Sequence, residues 1–423
     1  MFKLRKLALA SLTLAHHLGG CAEIPASPAG SQERFFSAWT VSQNIAEKAP
    51  ALSNHTVRMI VRPSIDGASL RIKLENTVAP APVVFSAAYI GVLDKGAAII
   101  PGTNKALKFN GQTALTLAAG ASVYSDPLEF PVKAFQRLAV SLDVTEASAV
   151  ATHSLGLATN YYAPGMHAGE ASGEGFSPVP PNAQGIKAFP FYWITAVDVK
   201  SSTNKGTIVA IGDSITDGRC STATDNGRGE VLPDLYQRWT DILARRLAAL
   251  PSSYPKAVAN EGIAGNRILA AGVTGPSALE RLERDVLDRA GLTHVIFFEG
   301  TNDIFRGATP TQVIDGSRQI IERVHAKGAK IIGVTAIPRG RPEGASGTGL
   351  STIQEQYRHE FNDWIRTRAG FDGVIDFDAV MAGGGKSPTG AEITRPAYTC
   401  DFVHPNAAGY KALGESIDLQ LFQ

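Results

Sequence analysis

Cysteine is scarce: three stand among 423 residues and none forms Cys-x-x-Cys. Neither a zinc cluster nor a redox dithiol is indicated, and the odd count leaves one thiol without a partner inside the chain. An excess of one charge is also missing, since 40 Lys and Arg face 39 Asp and Glu. A net charge of +1 supplies no basic footprint for nucleic acid. Long apolar runs are absent beyond the N-terminus, so no segment reaches the ~18 residues of a spanning helix. There is no Gly-x-Ser-x-Gly elbow and no His-Glu-x-x-His. The stretch Gly383 to Ser387 resembles a phosphate loop, but Val380 stands where its first glycine belongs. The stretch Asp225 to Gly229 lacks calcium-loop spacing. No cofactor and no metal are implied. What is present, 44% apolar and 19% charged residues with 42 Gly and 24 Pro, describes a globular chain with many turns. Its length predicts two or three domains.

The N-terminus reads Met-Phe-Lys-Leu-Arg-Lys, then an apolar stretch from Leu7 to Ala15, then Leu18-Gly19-Gly20-Cys21. Cations followed by a short apolar run are the layout of an export signal, and the run is too short to span a bilayer. The Leu-Gly-Gly-Cys end is similar to a lipobox, in which the cysteine becomes the lipidated first residue. His16 and His17 are atypical of that site, and a plain secretory signal or a buried helix are the alternatives. Residues 1–21 are therefore expected to be a signal peptide and 22–33, rich in Ala, Pro and Ser, a tether. The mature protein is expected to be exported: periplasmic, anchored to the outer membrane through Cys21, or extracellular.

Two kinds of periodicity follow. From 34 to 200, apolar residues recur at every second position, as in Val57-Met59-Val61, Leu70-Ile72-Leu74 and Leu138-Val140-Leu142-Val144. Period two with one polar face predicts half-buried antiparallel strands and hence a β-sandwich or jelly roll. The Gly- and Pro-rich segment 163–185 is expected to be a long loop, and 189–199 a closing strand. From 201 to 423, short apolar runs (207–211, 257–263, 294–299, 330–337, 373–377) alternate with amphipathic segments (236–250, 278–289, 311–327, 351–368, and one after Pro405). Strand-helix units in succession predict a doubly wound parallel sheet with its ligand site at the carboxyl ends of the strands.

Those ends carry the chemistry-bearing residues. The first is Gly212-Asp213-Ser214, the second runs from Asn260 through Gly265 to Arg267, the third is Gly300-Thr301-Asn302-Asp303, and Asp401-Phe402-Val403-His404 lies near the C-terminus. Each block has a bland reading: Ser214 as a helix N-cap, Gly265 as a turn glycine, Asn302 as a cap, Asp401 as an acid at a helix N-terminus. In this order, over residues 205–423, the blocks resemble the SGNH hydrolases, also called GDSL lipases or acylhydrolases. The resemblance implies a flavodoxin-like fold and a serine esterase, with Ser214 as nucleophile, His404 as base and Asp401 orienting it. It also implies an oxyanion hole from the backbone N–H of Ser214, that of Gly265 and the Asn302 amide. The residue types fit independently, because a serine hydroxyl needs a base in hydrogen-bond reach and the base needs an acid to hold its tautomer. His294, His325 and His359 fall on a strand start or helices and read as surface or packing residues. Asp213 and Asp303 are expected to hold loops, and Arg267 either meets substrate or pairs with an acid.

If Ser214 and His404 meet, Cys220 and Cys400 reach the same rim, and an oxidising compartment favours a disulfide between them over two free thiols. A β domain ahead of such a hydrolase is similar to exported bacterial esterases acting on acylated carbohydrates. Trp39, Tyr161, Tyr162, Tyr192 and Trp193 are candidates for a sugar-stacking face, with core packing as the alternative. The expected activity is removal of short acyl groups, acetyl above all, from a carbohydrate. A lipase, lysophospholipase or arylesterase using the same residues is the second reading, and a non-catalytic glycan-binding surface lipoprotein the third. The expected partner is an acylated small molecule or carbohydrate, with no nucleic acid; the oligomeric state is open.

Overall fold

The structure, a computed structural model, describes residues 34–47, 51–180, 189–227, 229–250, 255–367 and 370–423. The expected signal at 1–21, with Cys21, and the expected tether at 22–33 lie outside the described residues. Among the described residues no helix is long and apolar enough to cross a membrane.

The alternating first half forms antiparallel sheets. One runs Arg34–Thr40, Ile194–Ser201, Gly67–Glu75, Ser122–Tyr124, with Leu128–Val132 also on Gly67–Glu75. The other centres on His55–Val61, Leu138–Ala147 and Val83–Val92. Val57, Met59, Val61, Leu138, Val140 and Leu142 from the second share one core with Leu70, Ile72 and Leu74 from the first. This is the packing that period two predicts when the inner faces of two sheets meet. The outer face departs from that expectation. Arg58, between Val57 and Met59, is fully buried rather than solvated. Its guanidinium donates to Ser141 Oγ at 2.8 Å, to Glu170 O at 2.8 Å and to the carbonyl of Ala97, and it stacks 4.1 Å from the Phe176 ring. The segment expected to be a free loop from 163 is instead laid against the sheet, with short strands Tyr161–Pro164 and Ser177–Pro178. Five donors on one planar group satisfy loop carbonyls that no ladder could reach.

In the second half five parallel strands lie in the order Ala257–Gly262, Thr207–Gly212, Leu292–Phe298, Lys330–Val334, Gly373–Ile375. Numbered along the chain this is 2-1-3-4-5, the flavodoxin-like order of a doubly wound sheet. Successive residues of the first strand point to opposite faces. Val209 and Ile211 pack under helix Pro310–Ala326, and Ile208 and Ala210 under helices Trp239–Ala248 and Ala407–Ser416. The strand order reverses beside Thr207–Gly212, which makes its carboxyl end the expected crevice. The segment expected to be one helix over 278–289 is α-helical only through Leu282 and continues as a π turn over Glu283–Leu287. Arg281 and Arg289 both meet Asp285 there, Arg289 also pairs with Glu261, and a widened turn accommodates that crowd of buried charge.

The β half touches the crevice directly. Ser42 Oγ donates to Glu261 at 2.6 Å and Asn44 Nδ2 to Thr274 O at 3.0 Å. His153, buried in the strand Val150–His153, reaches Asp217 Oδ1 at 3.1 Å with Nε2 while Nδ1 lies 2.8 Å from Ser42 O. Both ring nitrogens face acceptors, so the imidazolium, a donor at both, fits this pocket best. Burial opposes that charge, but Asp217 overcomes it and holds the His153 pKa above its ordinary value.

Candidate active site

Ser214 opens the helical turn Ser214–Asp217, which follows the first strand without a linker. Asp213 caps that turn, accepting the Ile215 N–H at 2.9 Å, so the chain reverses sharply and leaves the Ser214 hydroxyl at the rim. Gly212 permits this: a Cβ there would lie 2.1 Å from Thr216 Oγ1 and 2.9 Å from Phe298 O.

The hydroxyl meets its partner from the far end of the chain. Ser214 Oγ lies 2.8 Å from His404 Nε2, and His404 Nδ1 lies 2.8 Å from Asp401 Oδ2. With Nδ1–H donating to the carboxylate, Nε2 carries the lone pair that accepts from the serine. Asp401 Oδ1 takes the backbone N–H groups of Val403 and His404 at 3.0 and 2.8 Å, which closes the loop on itself. Burial would raise the Asp401 carboxyl, but the His404 bond and charge together with these N–H groups hold it well below the usual carboxylate range. Burial dominates at His404 and lowers its pKa, against the pull of Asp401 and with Arg219 and Arg339 adding to the fall.

A disulfide joins Cys220 to Cys400 with Cα atoms 6.5 Å apart, and Tyr410 Oη donates to Arg219 O at 2.9 Å. The two bonds fasten the segment after Ser214 to the loop carrying Asp401 and His404. Reduction under native conditions should lower kcat several-fold while far-UV circular dichroism stays unchanged, because the bond adjoins Asp401 and lies outside the cores. Unaltered kcat after complete reduction would count against this role.

The second and third strand ends complete the rim. Gly265 sits at φ +78°, and Ala264 N–H just before it donates to Asp217 Oδ2 at 2.8 Å. Among the described residues no acceptor takes the backbone N–H of Ser214 or of Gly265. The Asn302 amide nitrogen donates to Asn266 O at 3.0 Å and Asp213 Oδ2 at 3.2 Å, and its oxygen accepts from Arg339 Nη1 at 3.0 Å. Asp213, pushed up to about 6 chiefly by burial, is engaged by the Ile215 N–H and the Asn302 amide, and Asp303 accepts from the N–H groups of Ile268 and Leu269. Among the described residues Arg267 forms no ion pair; its Nη2 donates to Ala271 O at 2.5 Å.

Of the aromatic residues considered for sugar stacking, Tyr192 and Trp193 are fully buried and Trp39 packs edge-on to Phe191 at 4.9 Å. They form core, as pleated half-buried strands favour. His294 stands near the amino end of its strand, Leu292–Phe298, at the edge opposite the rim, and His325 and His359 pair with Asp372 and Glu355. Glu355, His359 and Glu392 gather potential metal ligands, but both carboxylates bind the Arg358 guanidinium at 2.6 and 2.7 Å.

Four residues of the site escaped sequence reading. Arg339 orients Asn302, Asp217 holds the loop before Gly265, His153 holds Asp217, and Arg281 ties the strand ends together. Asp217 alone left a signal, being part of the same short block as Ser214.

Residues 210–412 match the sequence model of the GDSL-like lipase/acylhydrolase family. No curated protein matches the chain. Among solved structures, an aryl esterase of M. smegmatis in inhibitor-bound form is similar with a TM-score of 0.38 and 19% identity, over 52% of this chain and 100% of that one. A carbohydrate acetylesterase from Sinorhizobium meliloti is similar with a TM-score of 0.37 and 18% identity, over 50% and 96%. Over residues 210–412 the second half of the chain is similar to the GDSL-like lipase/acylhydrolase family, and the chain is a carboxylic ester hydrolase.

Proposed function

We propose that the protein is an exported serine esterase that removes short acyl groups, acetyl above all, from a carbohydrate. The observation that carries the mechanism is the continuous relay Ser214, His404, Asp401 with two bonds of 2.8 Å. Ser214 Oγ attacks the ester carbonyl carbon as His404 Nε2 takes its proton, and Asp401 stabilises the resulting imidazolium. The negative charge on the carbonyl oxygen is met by the open N–H groups of Ser214 and Gly265. The Asn302 amide joins them by exchanging its longer bond, to Asp213, for the oxyanion. Collapse expels the alcohol, which takes the proton from His404. Water, deprotonated by the same imidazole, then releases the acid and restores Ser214.

Three arginines, Thr274 and Asn302 stand in the wall of the crevice, which disfavours a long acyl chain. The layout of residues 1–21 supports export, with Cys21 as the anchor point. The test is hydrolysis of p-nitrophenyl esters from acetyl to palmitoyl, with acetate release from acetylated oligosaccharides. Activity falling steeply beyond butyryl, with acetate released, is expected; preference for long chains would replace this reading with a lipase.

Two further outcomes follow from the geometry. Asn302→Ala should lower kcat by ~10²–10³ with KM nearly unchanged, since the donor acts on charge that develops only in the transition state. The acid limb of kcat/KM should have its midpoint below the ordinary histidine value of about 6.5. Only neutral His404 accepts a proton, and burial favours that form, so the base stays active to lower pH. A midpoint above 7 in a pH–rate profile contradicts this.

A further inference from the structure

A cavity of about 380 Å³ adjoins the oxyanion donors and is lined by Gly265, Asn302, Phe305 and three arginines, Arg267, Arg306 and Arg339. Among the described residues no aspartate or glutamate lines it. Among the described residues none of the three guanidinium groups has a carboxylate in ion-pair contact. Asp213 and Asp401 act on Arg339 only from outside the lining, and Asp303 likewise on Arg267.

Arg339 carries the argument furthest. It is 9% exposed, yet its Nε has no hydrogen-bond partner. Its guanidinium lies 3.9 Å from the centre of the Phe305 ring, and that of Arg306 lies 5.9 Å from the same ring. Burial lowers the Arg339 pKa to about 10, with Arg341 and Arg306 pushing it further down, so it remains a cation at neutral pH. A buried cation with an idle donor, beside two further unpaired cations, is costly to maintain unless an anion completes it. Guanidinium forks match planar carboxylates in particular.

We propose that this cavity binds an anionic group on the alcohol side of the ester, so that the substrate is an acylated acidic sugar of the uronic acid kind. The proposal rests on the short-acyl esterase reading above. An acetyl group is far smaller than the cavity, whose volume falls within the ~300–1,000 Å³ of small-molecule sites, so the space is for the alcohol. The Phe305 ring gives a sugar ring one apolar face to lie against, and Arg306, exposed at the mouth, meets the charge as it enters.

The test compares an O-acetylated methyl glucuronide with the uncharged methyl ester of its carboxyl group, alongside p-nitrophenyl acetate and mono-p-nitrophenyl succinate. The wild type should prefer the free acid over the neutral ester by about tenfold in kcat/KM, as one charge-assisted contact supplies. That preference should shrink as salt rises. In the double variant Arg267→Gln, Arg306→Gln it should fall to within about twofold, read as the ratio for the two sugars in one preparation so that partial misfolding cancels. Equal rates on acid and neutral ester in the wild type overturn the proposal, as does a preference confined to the succinate, which places the anion on the acyl side. Loss of hydrolysis of p-nitrophenyl acetate by the wild type would instead remove the esterase reading beneath it.

Discussion

Ser214→Ala is expected to lower kcat on p-nitrophenyl acetate by a factor on the order of 10⁴ to 10⁶ while KM changes little. The loss is large because His404 then has no hydroxyl to deprotonate and no covalent intermediate forms. What survives is the proposed oxyanion site, whose donors at Ser214 and Gly265 would be backbone N–H groups that alanine preserves. The variant should fold, since Ser214 Oγ is engaged with His404 rather than with any packing partner. Burst kinetics with the wild type and an intact-mass adduct from a serine-directed phosphonate, absent in the variant, complete the test. A variant retaining more than about a hundredth of wild-type kcat would assign the nucleophile elsewhere.

The second large effect is structural. Arg281, fully buried, donates to Asn266 Oδ1 at 2.9 Å, Glu261 O at 2.6 Å, Ser42 Oγ at 3.0 Å and Gly212 O at 3.2 Å, with Asp285 3.3 Å and Glu299 3.6 Å away. Such a group adds little net stability when its ion pairs are intact, because desolvation offsets attraction. Removing one partner is different: it strands buried carboxylates and carbonyls at once. Arg281→Ala should therefore cost about 3–5 kcal/mol, seen as a lower urea midpoint. Activity should fall with it, since Gly212 precedes Asp213 and Ser214, and Asn266 O holds the Asn302 amide. Glu299, already pushed well above the carboxylate range by burial, would protonate rather than remain an uncompensated charge. Arg281→Lys keeps the charge but offers fewer, unforked donors and should recover only part of the loss. A melt within about 1 kcal/mol of wild type would mean that water replaces the guanidinium without penalty.

The Arg281 network also marks where sequence reading ends. Arg281 lies on a helix whose periodicity predicts burial of one face, but nothing local says that a charge on that face is buried too. Gly212, Glu261 and Glu299 are gathered by three neighbouring strands of the parallel sheet, and Ser42 is added only by the packing of the β half against it. The same holds for His153 and Asp217, more than sixty residues apart, and for Arg339 above Phe305. Arg58 shows it in the β half, where alternation predicts a solvated arginine and the covering segment, anchored by that arginine, buries it.

Periodicity was sufficient to determine the classes of both halves, because strand and helix patterns are local consequences of which side of an element meets the core. The four rim blocks were legible for a related reason. In a doubly wound sheet every parallel strand delivers its carboxyl end to one edge, so residues placed after successive strands gather there whatever lies between them. Tertiary structure alone decided the rest: the orientation of the Asn302 amide, the binding of the β half to the Ser214 turn, and the gathering of three arginines round one cavity. Those depend on side chains meeting across elements distant in the chain, where distance, burial and charge compensation leave no trace in local spacing.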